Sequence, residues 1–178
     1  MTTIRQFTAD DLFRYNTINL DPLTETYGIE FYLQYLARWP DYFVVAESFS
    51  GDLMGYIMGK AEGSGENWHG HVTAVTCDFT YRRLGLARRL MNALEMISEK
   101  RKCYFVDLFV RVSNVVAINV YLKLGYCVYR IVLEYYSNEY LDEDAYDMRK
   151  SLSRDKDKKA MIPLEQPIHL SDLDDYYC

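Results

Sequence analysis

The sequence predicts one α/β (α+β) domain built on a mostly antiparallel sheet, from three observations. Short runs of alternating or continuous apolar residues recur as strands, two later segments carry 3.6-residue apolar stripes, and strands outnumber helices. The order is strand, two helices, three strands, helix, strand, helix, two strands. A chain of 178 residues, 49% hydrophobic, can bury a sizeable core in one domain.

Ile4 to Phe7 alternates as a short strand, and Thr8 with Asp10 and Asp11 starts a helix carrying Leu12, Phe13, Ile18 and Leu20. Residues 21–28 read as a loop by their Pro, Gly and Thr content. A second helix, Ile29 to Arg38, is apolar on more than one face, through Phe31, Tyr32, Leu33, Tyr35 and Leu36. Such a helix either lies deep in the core or has its outer side covered by a partner. Strands follow at Tyr42–Glu47 and Leu53–Lys60 around the turn Ser48–Asp52, and a third at His69–Cys77 after a Gly-rich loop.

The next helix, Leu86 to Lys100, sets Leu86, Leu90, Ala93, Leu94 and Ile97 on one stripe. Its basic end complements the helix dipole. Tyr104–Val110 reads as a buried strand, Val115–Leu124 as a helix ended by Gly125, and Tyr126–Tyr135 and Ala145–Lys150 as closing strands. Strand alternation sends Tyr135 and Tyr136 to opposite faces. The composition changes after Leu152, so the expected division is a domain over 1–152 and a tail over 153–178, ending in an acidic run to which no role is attached.

Several function classes are disfavoured. Lys and Arg number 20 against 26 Asp and Glu, a net charge of −6, which does not suit direct nucleic-acid binding. Cys77, Cys103, Cys127 and Cys178 stand far apart with no Cys-x-x-Cys, so no metal is expected and the cysteines read as free thiols. No signal-like leader and no apolar run of ~20 residues is present, so a cytoplasmic chain is expected, without membrane attachment. The seventeen tyrosines suit either an interface or a tyrosine-rich core.

The informative stretch runs from Val75-Thr76-Cys77 through Arg82-Arg83-Leu84-Gly85-Leu86-Ala87. A strand enters a basic turn, then a glycine, then a helix whose first amides have no internal acceptor. That is an anion site by construction, with Gly85 permitting close approach and the arginines adding charge. Any basic turn before a helix matches this pattern, so alone it is weak; it is neither a P-loop nor a Rossmann fingerprint.

About thirty residues later comes Asn114-x-x-Ala117-x-x-x-Tyr121-x-x-x-Gly125-Tyr126. R-R-x-G-x-A followed by this second motif resembles the double signature of the GCN5-related N-acetyltransferases (GNAT). The resemblance implies the GNAT fold, with splayed central strands at His69–Cys77 and Tyr104–Val110, and acetyl-CoA as co-substrate. By it, Val75, Thr76, Cys77, Arg82, Arg83, Leu84, Gly85, Leu86, Ala87, Asn114 and Tyr121 form the cofactor side. Tyr121 and Asn114 are then the catalytic candidates, Tyr121 near the departing thiolate.

Residues 19–28, 31–36, 68–73 and 134–136 are similar to the NatB type within this family, and that likeness spans about residues 1–165. It implies acetylation of nascent N-termini beginning Met-Asp, Met-Glu, Met-Asn or Met-Gln. Glu25, Tyr27, His71, Thr73, Tyr135 and Tyr136 would line the peptide channel, with one of the tyrosine pair touching peptide at any one level. It also implies a helical-repeat auxiliary subunit that brings the enzyme to the ribosome. Simpler roles stay open: Tyr121 as a core tyrosine, His71 satisfying a neighbour, Glu25 as a solvated loop acid. So do two rival functions, acetylation of another amine and non-catalytic acyl-CoA binding.

Overall fold

A computed structural model describes residues 2–15, 18–20, 24–137 and 142–173. The chain divides into two compact units, Met1–Lys60 with Val72–Ile97, and Ala61–His71 with Ser98–Cys178. In the first, β1 (Thr2–Gln6), β2 (Phe43–Ser48), β3 (Leu53–Glu62) and β4 (His69–Cys77) are neighbours in that order. The first two pairings are antiparallel, and the β2–β3 turn uses Gly51 at φ +90°, a conformation costly for other residues.

Helices α1 (Ile29–Arg38) and α2 (Leu86–Lys100) stand where periodicity puts them. The helix expected after Thr8 is instead a 3-10 turn, Ala9–Phe13, followed by another at Ile18–Leu20. The start signal is correct, since Thr8 and Asp11 form a reciprocal capping box. Asn16 and Thr17 lie outside the described residues, and Asn19 is a poor helix former. Asn19 is engaged elsewhere: its side chain accepts from the Tyr56 hydroxyl at 2.9 Å.

The core of this unit is largely aromatic. Phe7 stacks on Phe43 with ring centres 4.0 Å apart, Tyr15 and Tyr56 meet Phe7 edge-on, and Tyr32 stacks on Phe43 at 6.3 Å. Tyr32 and Tyr35 are the buried residues of α1, so much of the tyrosine excess is core. Ile29 and Leu33, one turn apart on α1, remain 54% and 44% exposed.

In the second unit the order is β4, β5 (Phe105–Arg111), β7 (Glu143–Ser151), β6 (Cys127–Tyr136), then β8 (Ile168–His169). β5–β7 and β6–β7 pair antiparallel, and β8 pairs parallel with β6. Helix α3 (Val115–Lys123) follows β5 and has no fully buried residue. After β7 the chain turns on Asp155, whose carboxylate accepts from Ser151 Oγ and the amides of Lys159 and Ala160. β8, too short to show a period, and the buried Leu173 then close on Val132 and Ala145. Of the acidic run, residues 174–178, with Cys178, lie outside the described residues, as do residues 21–23 of the first loop.

Candidate active site

The basic turn of the first unit has the backbone its sequence suggests. Arg83 (φ +65°) and Gly85 (φ +74°) both adopt the left-handed region immediately before α2. The first intrahelical bond runs from Arg89 N to the Gly85 carbonyl at 3.2 Å, so the amides of Leu86, Ala87 and Arg88 precede it. A methyl added at Gly85 would meet nothing within 4 Å, so the turn is open on that side. Arg82, Arg83 and Leu84 are exposed around it. This backbone, charge and space fit an anionic diphosphate.

β4 leads into this turn and is held from two sides. A methyl on Gly55 of β3 would stand 2.6 Å from the Thr76 carbonyl oxygen, so the two backbones approach as only glycine allows. Thr76 Oγ1 shares a 2.9 Å hydrogen bond with Thr24 Oγ1, and Arg82 Nε donates to the Cys77 carbonyl at 3.4 Å. Burial pushes the Cys77 thiol up to about 11, with Arg82 opposing weakly, so it is no nucleophile near neutral pH.

The loop before α1 docks on the same strand. The Tyr27 hydroxyl donates to the Thr73 carbonyl at 3.4 Å, and its ring stacks on Phe31 at 4.4 Å. Burial, then the nearby charge of Glu25, pushes the Tyr27 phenol above its ordinary value, so it stays protonated. Glu25 itself is exposed.

The second unit gathers three of the expected substrate residues around one that pattern reasoning missed, Phe109. Its ring centre lies 5.5 Å from that of His71 and 4.6 Å from that of Tyr135, and its carbonyl accepts from the Tyr136 hydroxyl at 3.2 Å. Tyr135 and Tyr136 do not diverge as alternation requires. The β6–β7 register shifts between Val132 and Tyr136, and Glu134 sits at φ +52°, so this bulge brings the two rings within 4.9 Å. Arg111 lies over the Tyr136 ring at 4.0 Å.

Asp107 is the second omission. It is wholly buried in β5, with Oδ1 2.9 Å from His71 Nδ1 and Oδ2 3.5 Å from His69 Nε2. Burial pushes its carboxyl up, but the two histidines, with a smaller contribution from Arg149, outweigh it and hold it well below the usual carboxylate range. One acid inside an otherwise apolar strand run was the available signal, because a buried charge requires a partner. Possible donor atoms of Glu62, His69 and His71 also lie within 4.8 Å of one another.

Asn114 and Tyr121 share α3. The Asn114 carboxamide oxygen accepts from the Ala117 amide at 3.1 Å, so Asn114 caps the helix, and Tyr121 follows two turns later on the same side. Tyr121 is half-buried, with its ring centre 6.1 Å from that of Tyr126. A separate cleft of about 380 Å³, lined partly by Tyr104, Tyr129, Arg149 and Arg154, contains none of the expected site residues. No helix among the described residues is long and apolar enough to cross a membrane.

The chain is similar to known proteins along most of its length. The family described as "Acetyltransferase (GNAT) family" matches residues 9–126. The chain is 61% identical over 175 residues to the N-terminal acetyltransferase B complex catalytic subunit NAA20 of Arabidopsis thaliana, covering 98% of this chain and 99% of that one. It is 60% identical, with the same coverage, to N-alpha-acetyltransferase 20 of Dictyostelium discoideum. Among solved structures, Chaetomium thermophilum Naa20 in complex with a bisubstrate analogue superposes with a TM-score of 0.89 at 42% identity, over 96% of this chain and 98% of that one.

Proposed function

Because this chain belongs to the acetyltransferase (GNAT) family, we propose that it is an N-terminal α-amino acetyltransferase of the NatB type. Its substrates are acetyl-CoA and nascent chains beginning Met-Asp, Met-Glu, Met-Asn or Met-Gln. The observation that carries the reading is the doubly left-handed turn at Arg83 and Gly85 opening α2, with free space beside the glycine. Both curated relatives named above match over 98% of this chain, and the Arabidopsis one is named as the catalytic subunit of the acetyltransferase B complex.

Acetyl-CoA supplies an activated acyl group when bound. The amides and arginines of residues 82–87 hold its diphosphate, and the strand end Val75–Cys77 orients the rest of the cofactor. Asn114 and Tyr121 serve the cofactor side on α3, and Tyr121 gives its proton to the leaving thiolate. A peptide α-amine has a pKa of about 7.7–8.0, so a useful fraction of it is neutral near pH 7.5. A polar acceptor or ordered water suffices as base, and positioning supplies much of the rate. The side chains assigned to peptide are Glu25, Tyr27 and Thr73 in the first unit and His71, Tyr135 and Tyr136 in the second.

The chain works with an auxiliary subunit, a helical-repeat protein that brings it to the ribosome in the cytoplasm. The exposed pair Ile29 and Leu33 on α1 supports a covered surface there. Peptides beginning Met-Asp, Met-Glu, Met-Asn, Met-Gln and Met-Ser test the whole reading, with the chain alone and with its partner. Acetylation of the first four and not of Met-Ser is expected. Equal rates on Met-Asp and Met-Ser would point to a broader amine acetyltransferase and overturn the NatB assignment.

A further inference from the structure

We propose that the second unit carries a binding surface for single-stranded RNA, formed by the end of α2, residues 154–159 and the cleft lined by Tyr104 and Tyr129. It is independent of the cofactor and peptide assignments above. Charge is unevenly spread along the chain. Lys100, Arg101 and Lys102 lie at the end of α2 and in the turn after it, all exposed. Arg154, Lys156, Lys158 and Lys159 follow β7 and are exposed too. The acids among or against these seven cations are Glu66, Glu99, Asp155 and Asp157, so the region carries +3. The other 13 cations and 22 acids carry −9, which completes the chain's −6. Net charge therefore disfavours a polyanionic partner only as an average over a basic patch and an acidic remainder.

Folding joins the two basic segments. Arg154 Nη1 donates to the Lys102 carbonyl at 2.7 Å, and the Trp68 indole donates to the Arg101 carbonyl at 3.1 Å. Ser153 gives its amide and hydroxyl to the Glu99 carboxylate, at 2.9 and 2.5 Å. The buried Asp155 carboxylate is turned onto Ser151 and the amides of Lys159 and Ala160. Two of the four acids are thus engaged by the chain's own neutral donors. Crowding like charges on one surface is unfavourable by itself, and a bound polyanion relieves it while releasing counterions.

The cleft of about 380 Å³ distinguishes this surface from a plain basic patch, and Arg154, Lys156 and Lys159 belong to both. Arg154 lies over the Tyr104 ring at 4.2 Å, and Arg149, paired with Asp147 at 2.9 Å, lies over the Tyr129 ring at 3.6 Å. Rings and cations alternate there, the combination on which bases stack and phosphates pair. The volume sits near the low end of small-ligand clefts, which suits one unstacked nucleotide and excludes a duplex. A run of acidic side chains matches the charge alone. Glu66, Asn67 and Asp157 also line the cleft. The two carboxylates repel phosphate but accept from a ribose 2′-hydroxyl, as does a carboxamide oxygen, and DNA lacks that donor.

The test is fluorescence anisotropy over a salt series, on the full chain with its auxiliary subunit and a short labelled single-stranded RNA of mixed sequence. Lys156→Gln combined with Lys158→Gln is expected to flatten the slope of log K against log salt by about 1.4, about 0.7 per lost phosphate contact. Affinity should fall about tenfold, uniformly across sequences, with acetylation of a Met-Asp peptide unchanged. Tyr104→Leu removes a stacking face and no charge, so affinity should fall at least about fivefold with the slope preserved. An unchanged slope in the lysine variant would overturn the proposal. Full affinity in Tyr104→Leu would overturn the place of a base in the cleft.

Two competitors separate the partner classes on the wild-type complex. Polyglutamate of equal charge should compete poorly, and competition as strong as that of RNA would make the partner an acidic protein segment instead. DNA of the same sequence should bind more weakly, and equal binding would overturn the choice of RNA. Ultraviolet crosslinking of RNA carrying 4-thiouridine, read by mass spectrometry, locates the contact without any variant. Adducts on peptides containing Trp68, Tyr104 or Tyr129 are expected. Adducts confined to the auxiliary subunit would show that this chain offers no such surface.

Discussion

The Tyr35 hydroxyl lies 2.8 Å from Thr73 Oγ1, so the middle of α1 is tied to the middle of β4 by one side-chain hydrogen bond. Tyr27 reaches the carbonyl of the same threonine from the preceding loop. Thr73 is therefore placed by α1 and by the loop ahead of it, and neither contact is visible from strand periodicity. Tyr35→Phe is expected to cost about 1 kcal/mol, the net worth of one such bond, measured by urea unfolding. It should also raise the KM for peptide while leaving that for acetyl-CoA nearly unchanged.

Gly85→Ala tests the cofactor turn. The space beside the glycine is open, so the new methyl meets no protein atom, but φ +74° costs an L-residue about 1–2 kcal/mol. The methyl also enters the volume assigned to the diphosphate. Weaker CoA binding by calorimetry is expected, with peptide KM affected less.

Gly55→Ala tests the approach of β3 to β4. Its methyl would stand 2.6 Å from the Thr76 carbonyl oxygen and 3.1 Å from Cys77 Cα, both backbone atoms. A strand backbone yields less readily than a side chain, so a loss of about 1–3 kcal/mol is expected, read as a lower Tm.

Asp11 gives a pH-dependent stability. Burial pushes its carboxyl up, but hydrogen bonds from the Arg5 guanidinium and the Thr8 amide outweigh this and hold it below the ordinary value. The folded chain therefore binds fewer protons here than the unfolded chain near the ordinary carboxylate pKa of about 3.9. The contribution is fully present above that pH and fades as pH falls through the depressed value. Asp11→Asn should cost about 2 kcal/mol at pH 7, and denaturation series should show its deficit shrinking below about pH 4.

Cys77 should resist alkylation. With its thiol pushed up to about 11, the thiolate fraction at pH 8 is about one in a thousand. Iodoacetamide labelling followed by mass spectrometry should be slow at pH 8 and accelerate about tenfold per pH unit up to that value. Rapid labelling at pH 7 would contradict the burial described.

Much of this was legible in the sequence, because it rests on local rules. The strand expected at Leu53–Lys60, which runs on to Glu62, and α2 follow from apolar period, and Gly85 stood out by its place in a basic turn before a helix. What escaped depends on residues far apart in the chain. Alternation placed Tyr135 and Tyr136 on opposite faces, but the bulge at Glu134 is set by pairing with β7. Asp107 was readable as an anomaly, yet its partners His69 and His71 come from β4, brought alongside by the fold. The capping signal at Thr8 marks a start and not a length, so the helix expected there is a 3-10 turn over Ala9–Phe13.

Leu173 has a consequence for synthesis. It helps bury Val132 and Ala145, so that part of the second unit cannot close until residue 173 has left the ribosome. The first unit ends at Ile97 and can assemble while later codons are still being read. Premature stops ahead of Leu173 should therefore yield chains with an intact aromatic core and an uncovered apolar seam, the kind of product chaperones retain.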